Sequence, residues 1–162
     1  MIMLREFIAD DAPQLVHYLN NSDVTRYITA AIASPYTLND ANDWLSFSDN
    51  NPLIKAIEYN GQFVGCISAT VGNFEYGHSA ELGYWVGQEH WQQGIGTQAV
   101  KLFIDYLQQA TQLSRIYVSV VTENTRSIKV LINNEFTLEG TLINASCKNG
   151  VFFNESIYGK LI

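Results

Sequence analysis

The sequence predicts an α/β fold of the α+β type, with one mixed sheet of about seven strands flanked by helices, in a single domain spanning residues 1–162. Two Asn-Gly pairs between apolar segments, at residues 60–61 and 149–150, indicate β-hairpins. Residues 99–110 repeat apolar side chains with helical spacing. No linker, repeat or low-complexity tract separates these elements, so we expect them to pack as one compact unit.

The amino-terminal part predicts a strand and then a helix. Residues 2–8 form a short strand. Asp10 and Asp11, followed by Pro13, start a helix that runs to about Asn20, because acidic side chains and proline favour the first helical turn. Residues 22–36 are ambiguous and leave room for another short helix.

A further helix is predicted from a capping signal. Thr37, with Asp40 three positions later, resembles a capping box, in which each side chain accepts the other residue's backbone N–H. The helix that begins there carries the residues Ala41, Trp44, Leu45 and Ser48.

The central part predicts three strands and a long helix. Residues 53–59 and 62–72 form a hairpin, and residues 78–87 form the next strand after a turn rich in glycine and asparagine. The long helix that follows has one apolar face, made of Ala99, Leu102, Phe103, Tyr106, Leu107 and Ala110.

The carboxyl-terminal part predicts a strand, a helix and a hairpin. Residues 115–121 form a buried strand. Asn124 starts a shorter helix, and the last two strands cover about residues 136–146 and 151–161. The inward side chains of the helix are expected to be Ile128, Leu131 and Ile132. The predicted order is therefore β-α-α-β-β-β-α-β-α-β-β.

The composition excludes several classes of protein. Charged residues make up 15% of the chain, and the net charge is −7. No basic stripe for nucleic acid, no apolar run as long as a membrane span and no signal peptide is present. We therefore expect a cytoplasmic protein without nucleic-acid or membrane partners. The acidic charge is compatible with a cationic substrate such as an amine, but we favour the interpretation that it serves solubility. The oligomeric state stays open.

The sequence offers no pattern of metal ligands. Cys66 and Cys147 match no metal or redox spacing, and we expect two buried thiols in a reducing compartment. The three histidines, His17, His78 and His90, show no ligand spacing and are interpreted as structural. We therefore predict no metal site.

The most informative segment joins the strand at residues 80–87 to the long helix through Gly94-Ile95-Gly96-Thr97. Backbone N–H groups at a helix start, together with the helix dipole, bind anions, and glycine lets the backbone approach a pyrophosphate closely. Taken alone, this Gly-x-Gly pattern fits a ligand-free turn equally well.

Several motifs, taken in order, carry a resemblance to a known family. The run at residues 81–86 (Glu-Leu-Gly-Tyr-Trp-Val), followed by residues 90–99 (His-Trp-Gln-Gln-Gly-Ile-Gly-Thr-Gln-Ala), resembles the acetyl-CoA motif of the GNAT superfamily of N-acetyltransferases. It is most similar to the branch that acetylates alanine or serine at the amino termini of ribosomal proteins. Matching segments elsewhere are residues 4–11, 35–44, 124–127 and 134–140, so the resemblance covers nearly the whole chain.

The resemblance implies an acetyl transfer in which acetyl-CoA lies in a V-shaped split between two central strands. Backbone groups of the strand Leu82–Val86 would then bind the pantetheine arm, and the backbone of Gln92–Thr97 would hold the pyrophosphate. The residue matching Asn124 binds the pantetheine arm, and the one matching Ser127 lies near the thiol. The implied cofactor-binding residues are Tyr84, Trp85, Val86, Gln92, Gln93, Gly94, Ile95, Gly96, Thr97, Asn124 and Ser127.

The chain departs from the family pattern at three positions. Gln92 stands where the family often has glycine, and its side chain either crowds the phosphates or points outward. Glu135 replaces a glycine whose position favours a left-handed backbone, a conformation that costs other residues about 1 kcal/mol. We expect Asn134 to adopt it instead. The tyrosine that acts as general acid in many relatives is Leu131 here.

Two residues are candidates for catalysis. Glu81 is either the base that takes the proton of the amine or an ordinary strand residue. Ser127 either protonates the leaving thiolate or is a first-turn helix serine. No nucleophile elbow is present, which favours direct attack of an amine on the thioester.

The acceptor is predicted to be the α-amine of a protein amino terminus, which needs the weakest base. Two alternatives stay open. One is an enzyme that acetylates a polyamine, an aminoglycoside or an amino-acid derivative, and the other is a degenerate acyl-CoA-binding regulatory module.

Overall fold

The structure, a computed structural model, describes all 162 residues. It contains the strands β1 (Ile2–Arg5), β2 (Ile54–Tyr59), β3 (Gln62–Val71), β4 (Ser79–Val86), β5 (Arg115–Val121), β6 (Thr137–Lys148) and β7 (Val151–Leu161). Its helices are α1 (Ala12–Leu19), α2 (Ser22–Thr25), α3 (Leu38–Ser48), α4 (Ile95–Ala110) and α5 (Thr125–Asn133). The predicted element order is confirmed except that α2, within the ambiguous segment, adds a third helix between β1 and β2.

The strands form one seven-stranded mixed sheet in the order β1-β2-β3-β4-β5-β7-β6, flanked by helices. β4 pairs parallel with β5, whereas β1–β2, β2–β3, β5–β7 and β6–β7 pair antiparallel. The predicted fold class is therefore confirmed. The chain divides into two compact units, of which the first comprises Met1–Ser68 and Tyr84–Ala99 and the second comprises Ala69–Gly83 and Val100–Ile162.

In the first unit, an ion-pair network joins β1 to the start of α1. Arg5 donates from two guanidinium nitrogens to the buried carboxylate of Asp11, at 2.8 Å for each bond, and from Nε to Glu58 at 2.6 Å. These pairings hold the pKa of the guanidinium above its usual value. Because two carboxylates share one partly buried cation, the turn from strand to helix is fixed by charge as well as by packing.

The core of the first unit is largely aromatic and aliphatic. It includes Leu15 and Tyr18 from α1, Ala41 from α3, Ala56 from β2 and Phe63 from β3, all buried. The helix α3 begins as predicted, because Thr37 and Asp40 form the reciprocal capping box. Local capping therefore sets the helix boundary, and apolar burial holds the helix against the cluster.

In the second unit, buried apolar side chains come from α4, β5 and α5. The largest side chains fully buried there are Phe103, Leu107, Ile116 and Leu131. The prediction that Ile132 points inward is wrong, and Ala110, on the predicted apolar face of α4, is also exposed. Ala110 is exposed because it is the last residue of α4, and Ile132 is exposed because Leu131 alone takes the inward position on the short helix α5.

The two cysteines differ in their surroundings. Cys66 on β3 is buried, which raises the pKa of its thiol to about 12. Cys147 is exposed, so the prediction of two buried thiols is wrong for it. The reason is its position in β6, an edge strand whose residues are nearly all solvent-accessible.

Candidate active site

The strand that leads into the predicted cofactor loop leaves the sheet at a closely packed position in the first unit. The N–H of Gly87 donates to the carbonyl of Val64 at 2.8 Å. A Cβ atom at Gly87 would lie 2.3 Å from Cε1 of the buried Tyr18 ring. Only glycine therefore fits here, and the end of β4 is held against α1.

The turn after Gly87 is tethered to α1 and α2 by side chains from both sides. His17 Nε2 lies 2.6 Å from Glu89 Oε1, and the Tyr18 hydroxyl lies 3.1 Å from His90 Nε2. Gln88 accepts from Asn21 at 2.6 Å. Hydrogen bonding to its own backbone N–H, and then to His17, holds the pKa of Glu89 below its usual value. The interpretation of His17 and His90 as structural residues agrees with these contacts.

The loop itself has two backbone positions in the left-handed region. Gln92 has φ 63° and Gly94 has φ 76°. The side chain of Gln92 is exposed, and a Cβ at Gly94 would meet no atom within 4 Å. Gln93 is also exposed and donates from its amide to the Glu89 carbonyl at 3.1 Å. The loop is therefore shaped by backbone conformation and leaves open space beside Gly94.

The helix α4 begins directly after this loop. Its first intrahelical bond runs from the N–H of Gln98 to the carbonyl of Gly94 at 3.0 Å. The N–H groups of Ile95 and Gly96 precede that bond, so they stand where a helix start binds anions. Thr97 lies in the same first turn, and Ile95 anchors the turn by burying its side chain.

Tyr84, Trp85 and Val86 form the last part of β4. The Trp85 ring packs with its centroid 6.0 Å from those of both Tyr18 and Phe63. The carbonyl of Val86 accepts from the Trp91 indole at 2.7 Å. The side chain of Trp85 is thus a packing element, and the Val86 carbonyl is already bound within the protein.

In the second unit, Asn124 and Ser127 meet at the start of α5. Asn124 is the N-cap, and its side-chain oxygen accepts the N–H of Ser127 at 3.3 Å. The Nδ2 group of Asn124 has no partner within the protein, so it remains able to donate to a ligand. Capping and ligand binding therefore use different atoms of one amide.

Glu81 lies on a polar face of the sheet in the second unit. It is paired in register with Tyr117 on β5, and the backbone N–H of Ser119 lies near enough to its carboxylate to favour the charged form. The residue as a whole is exposed, yet neighbouring atoms crowd its carboxylate. This desolvation, together with repulsion from Glu155, raises the pKa of Glu81. A raised pKa makes a carboxylate a stronger base.

Glu155 completes this polar face from β7. Glu155 pairs in register with Val121 on β5. The hydroxyl of Ser119, two positions before Val121, donates a hydrogen bond to the Glu155 carboxylate. Glu81, Tyr117, Ser119 and Glu155 thus form a cluster, here called the carboxylate pair site, with two acidic groups linked through one serine. Burial and the Glu81 charge also raise the pKa of Tyr117.

Residues 2–137 match the family described as the acetyltransferase (GNAT) domain. The chain belongs to this family. The GNAT fold is also that of an acetyltransferase from Bacillus anthracis, whose crystal structure superposes with a TM-score of 0.87 at 22% identity, covering 99% of this chain and 94% of that one.

Two curated relatives carry substrates in their names. The ribosomal-protein-serine acetyltransferase of Escherichia coli is 33% identical over 84 residues, which is 52% of this chain and 47% of that protein. The spermidine N(1)-acetyltransferase of Escherichia coli is 28% identical over 158 residues, covering 94% of this chain and 82% of that protein. This GNAT acetyltransferase is thus similar to enzymes with different acceptors.

Membership in the family gives the chain its reaction class, N-acetyl transfer, and the family uses acetyl-CoA. No group of three or more His, Cys, Asp or Glu side chains is arranged to hold a metal ion. No helix is both long and apolar enough to cross a membrane.

The predicted site residues of this GNAT enzyme fall into two groups. Residues 84–86 and 92–97 belong to the first unit, and Glu81, Asn124 and Ser127 belong to the second. The sequence interpretation missed Ser119 and Glu155. The polar residues Tyr117 and Ser119 alternate with buried valine and isoleucine in β5, and that alternation was the available signal.

Two departures from the family pattern have a clear outcome. Glu135 has φ 64° and adopts the left-handed conformation itself, whereas Asn134 has φ −100°, so the prediction that Asn134 would adopt it is wrong. Glu135 and Phe136 donate their N–H groups to Ile132 and Leu131, each at 3.0 Å. These two bonds form a Schellman motif, which requires the left-handed residue between them. Leu131 is fully buried and offers no acid group.

Proposed function

We propose that this GNAT enzyme transfers the acetyl group of acetyl-CoA to the α-amine of a protein amino terminus by direct attack of the amine. The observation that carries the proposal is the raised pKa of Glu81 within the carboxylate pair site. An α-amine has an ordinary pKa of about 7.7–8.0, whereas a lysine amine is near 10.4. A single carboxylate of raised pKa is a strong enough base for the α-amine but a poor base for the lysine amine.

The amine proton passes to Glu81 as the nitrogen attacks the thioester carbonyl. The Ser119 N–H orients the Glu81 carboxylate, and Glu155 favours its protonated form by charge repulsion. The same two carboxylates attract the ammonium form of the substrate before it loses its proton. Glu81 therefore acts as the base, while Ser119 and Glu155 act as positioning residues.

The loop and the first turn of α4 bind the cosubstrate in this proposal. Backbone N–H groups at the helix start and the open space beside Gly94 suit a pyrophosphate. In the second unit, the Nδ2 group of Asn124 is the donor offered to the pantetheine arm.

Ser127 is proposed to return a proton to the sulfur. As the carbon–nitrogen bond forms and the carbon–sulfur bond breaks, the amine proton goes to Glu81. The thiolate accepts a proton from the Ser127 hydroxyl, and a proton from solvent then restores that hydroxyl. A Ser127→Ala variant lowers kcat more than it raises KM for acetyl-CoA, because this transfer occurs in the transition state. An unchanged kcat would leave Ser127 as a helix residue only.

A second candidate function, acetylation of a small polyamine, is favoured by a specific observation. The relative named for spermidine matches 94% of this chain, whereas the relative named for a ribosomal protein matches 52%. Two neighbouring carboxylates also suit a substrate with several positive charges. The two candidates differ in whether a polypeptide follows the reacting amine.

Competition between acceptors tests the proposal. Short peptides with free Ser, Ala or Met termini are compared with spermidine, an aminoglycoside, and a peptide with a blocked terminus and an internal lysine. We expect the best free-terminus peptide to have the highest kcat/KM. A non-peptide amine about tenfold better, a difference of about 1.4 kcal/mol in transition-state free energy, would replace this function with the small-amine one. Absence of thiol release with every amine would favour a degenerate binding module.

A further inference from the structure

The turn between β3 and β4 presents two aromatic side chains to solvent on either side of a carboxylate. Phe74 is 94% exposed and Tyr76 is 65% exposed, with Glu75 between them. Residues 74–76 are here called the aromatic turn. Exposed aromatic side chains lack the burial that normally stabilises them. Two of them within three residues therefore indicate a surface that a binding partner covers.

The backbone of the aromatic turn is strained at Phe74. Phe74 has φ 52°, in the left-handed region that bulky residues rarely occupy. Asparagine holds most of the other left-handed non-glycine positions in the chain, and its short polar side chain tolerates that conformation. A phenylalanine that is both strained and solvent-exposed contributes little to the folded state, so its presence points to a role outside folding.

The aromatic turn is also held rigidly. Tyr76 donates its N–H to Asn73 at 2.9 Å, Gly77 donates to Phe74 at 3.0 Å, and Gly72 donates to Ser79 at 2.9 Å. A Cβ at Gly72 would lie 2.6 Å from Cβ of Tyr76 and 2.7 Å from its carbonyl oxygen. The two aromatic side chains therefore project from a closed turn, which lowers the conformational entropy lost when a partner binds.

We propose that the aromatic turn is a docking site for a lysine- or arginine-rich segment of a polypeptide. An aromatic face attracts a cation, and Glu75 supplies the opposite charge beside it. The net charge of −7 steers a basic partner toward the protein. The same negative charge disfavours a second copy of the chain as the partner, and that contact would also bring Glu75 to an identical Glu75. It likewise disfavours nucleic acid.

This proposal goes beyond the acetyl transfer and stands whichever amine is acetylated. The docked segment is recognised by its side-chain cations, and its own terminus need not react. A peptide that cannot be acetylated therefore tests the docking site without depending on the proposed function.

The experiment measures binding of a fluorescein-labelled peptide of alternating arginine and glycine, which has no free amine, with the dye at its amino terminus and an amidated carboxyl terminus, by fluorescence anisotropy. We expect Phe74→Ser and Tyr76→Ser each to weaken binding about two- to fivefold, as expected for an exposed cation–π contact. Glu75→Gln is expected to weaken binding and to reduce its dependence on salt. Thermal melts check that the variants remain folded.

Two matched controls separate docking from general attraction. Phe152→Ser removes another exposed aromatic, 63% accessible on β7, and Asp105→Asn removes a charge on α4. Both are expected to bind the peptide as the wild type does. Equal affinity of Phe74→Ser and Phe152→Ser would overturn the proposal. A dimer that depends on Phe74 in the absence of peptide, or Phe74-dependent binding to zwitterionic phosphatidylcholine vesicles, would overturn it in favour of a second copy or a membrane.

Discussion

Ser119 donates a hydrogen bond from its hydroxyl to the carboxylate of Glu155. Its backbone N–H lies near enough to the carboxylate of Glu81 to favour the charged form, so one residue is close to both acidic groups. The two charges repel each other, and this repulsion adds to desolvation in raising the pKa of Glu81. The proposed base is therefore tuned by a residue on a different strand, which gives the proposal a sharp test.

The pH dependence of kcat distinguishes the roles of the two carboxylates. A base must be ionised to act, so kcat rises with pH through the pKa of Glu81. Glu155→Gln removes the repelling charge, lowers that pKa and shifts the acid limb to lower pH. Glu81→Gln abolishes the limb. If the acid limb is retained in Glu81→Gln and lost in Glu155→Gln, Glu155 is the base instead.

Gly94→Ala tests the phosphate loop against a control with the same backbone strain. Gly94 and Gly61 have φ 76° and 82°, and a Cβ at either would meet nothing within 4 Å. Each alanine variant should lose about 1 kcal/mol in free energy of unfolding, measured by urea denaturation. Only Gly94→Ala should raise the Kd for acetyl-CoA measured by calorimetry. Equal acetyl-CoA affinity in the two variants would contradict the assignment of the loop.

Two variants of Asn124 separate helix capping from binding of acetyl-CoA. Asn124→Ala removes the acceptor of the Ser127 N–H and should cost about 1 kcal/mol of stability. Asn124→Asp keeps an oxygen at the cap and should leave stability near that of the wild type. Both variants lose the Nδ2 donor and should raise KM for acetyl-CoA. A wild-type KM in Asn124→Asp would limit Asn124 to capping.

Glu135→Gly is expected to stabilise the protein by about 1 kcal/mol, because glycine adopts the left-handed conformation without steric cost. The variant also loses the ion pair with Lys160 at 2.9 Å, but the Glu135 side chain is exposed and such pairs contribute little. Glu135→Gln is the matched control, since it keeps the strain and removes the charge. Thermal and urea denaturation measure both, and an unchanged or lower stability of Glu135→Gly would show that the position is not strained.

Local signals in the sequence predicted most of the fold. The strand at Arg115–Val121 and the capping box at Thr37 were confirmed because their determinants lie within a few neighbouring residues. The link between Ser119 and Glu155 could not be predicted in this way. It depends on the antiparallel register of β5 and β7, which sequence-distant packing sets.

The errors have a related physical origin. Cys147 appeared to be a core residue by its type, yet an edge strand leaves it in solvent. Asparagine has the better intrinsic preference for a left-handed backbone, but the helix ends at Asn133 and its closing turn places Glu135 in that conformation. Residue preference therefore yields to tertiary position where the two conflict.

The most direct test of the central claim locates the acetyl group on a product. A peptide with a free amino terminus and one internal lysine is incubated with the enzyme and acetyl-CoA, and the product is sequenced by tandem mass spectrometry. The proposed function predicts acetylation at the α-nitrogen in the wild type and strongly reduced product with Glu81→Gln. Acetyl at the lysine side chain, or no acetylated peptide while spermidine is acetylated in the same assay, would contradict it.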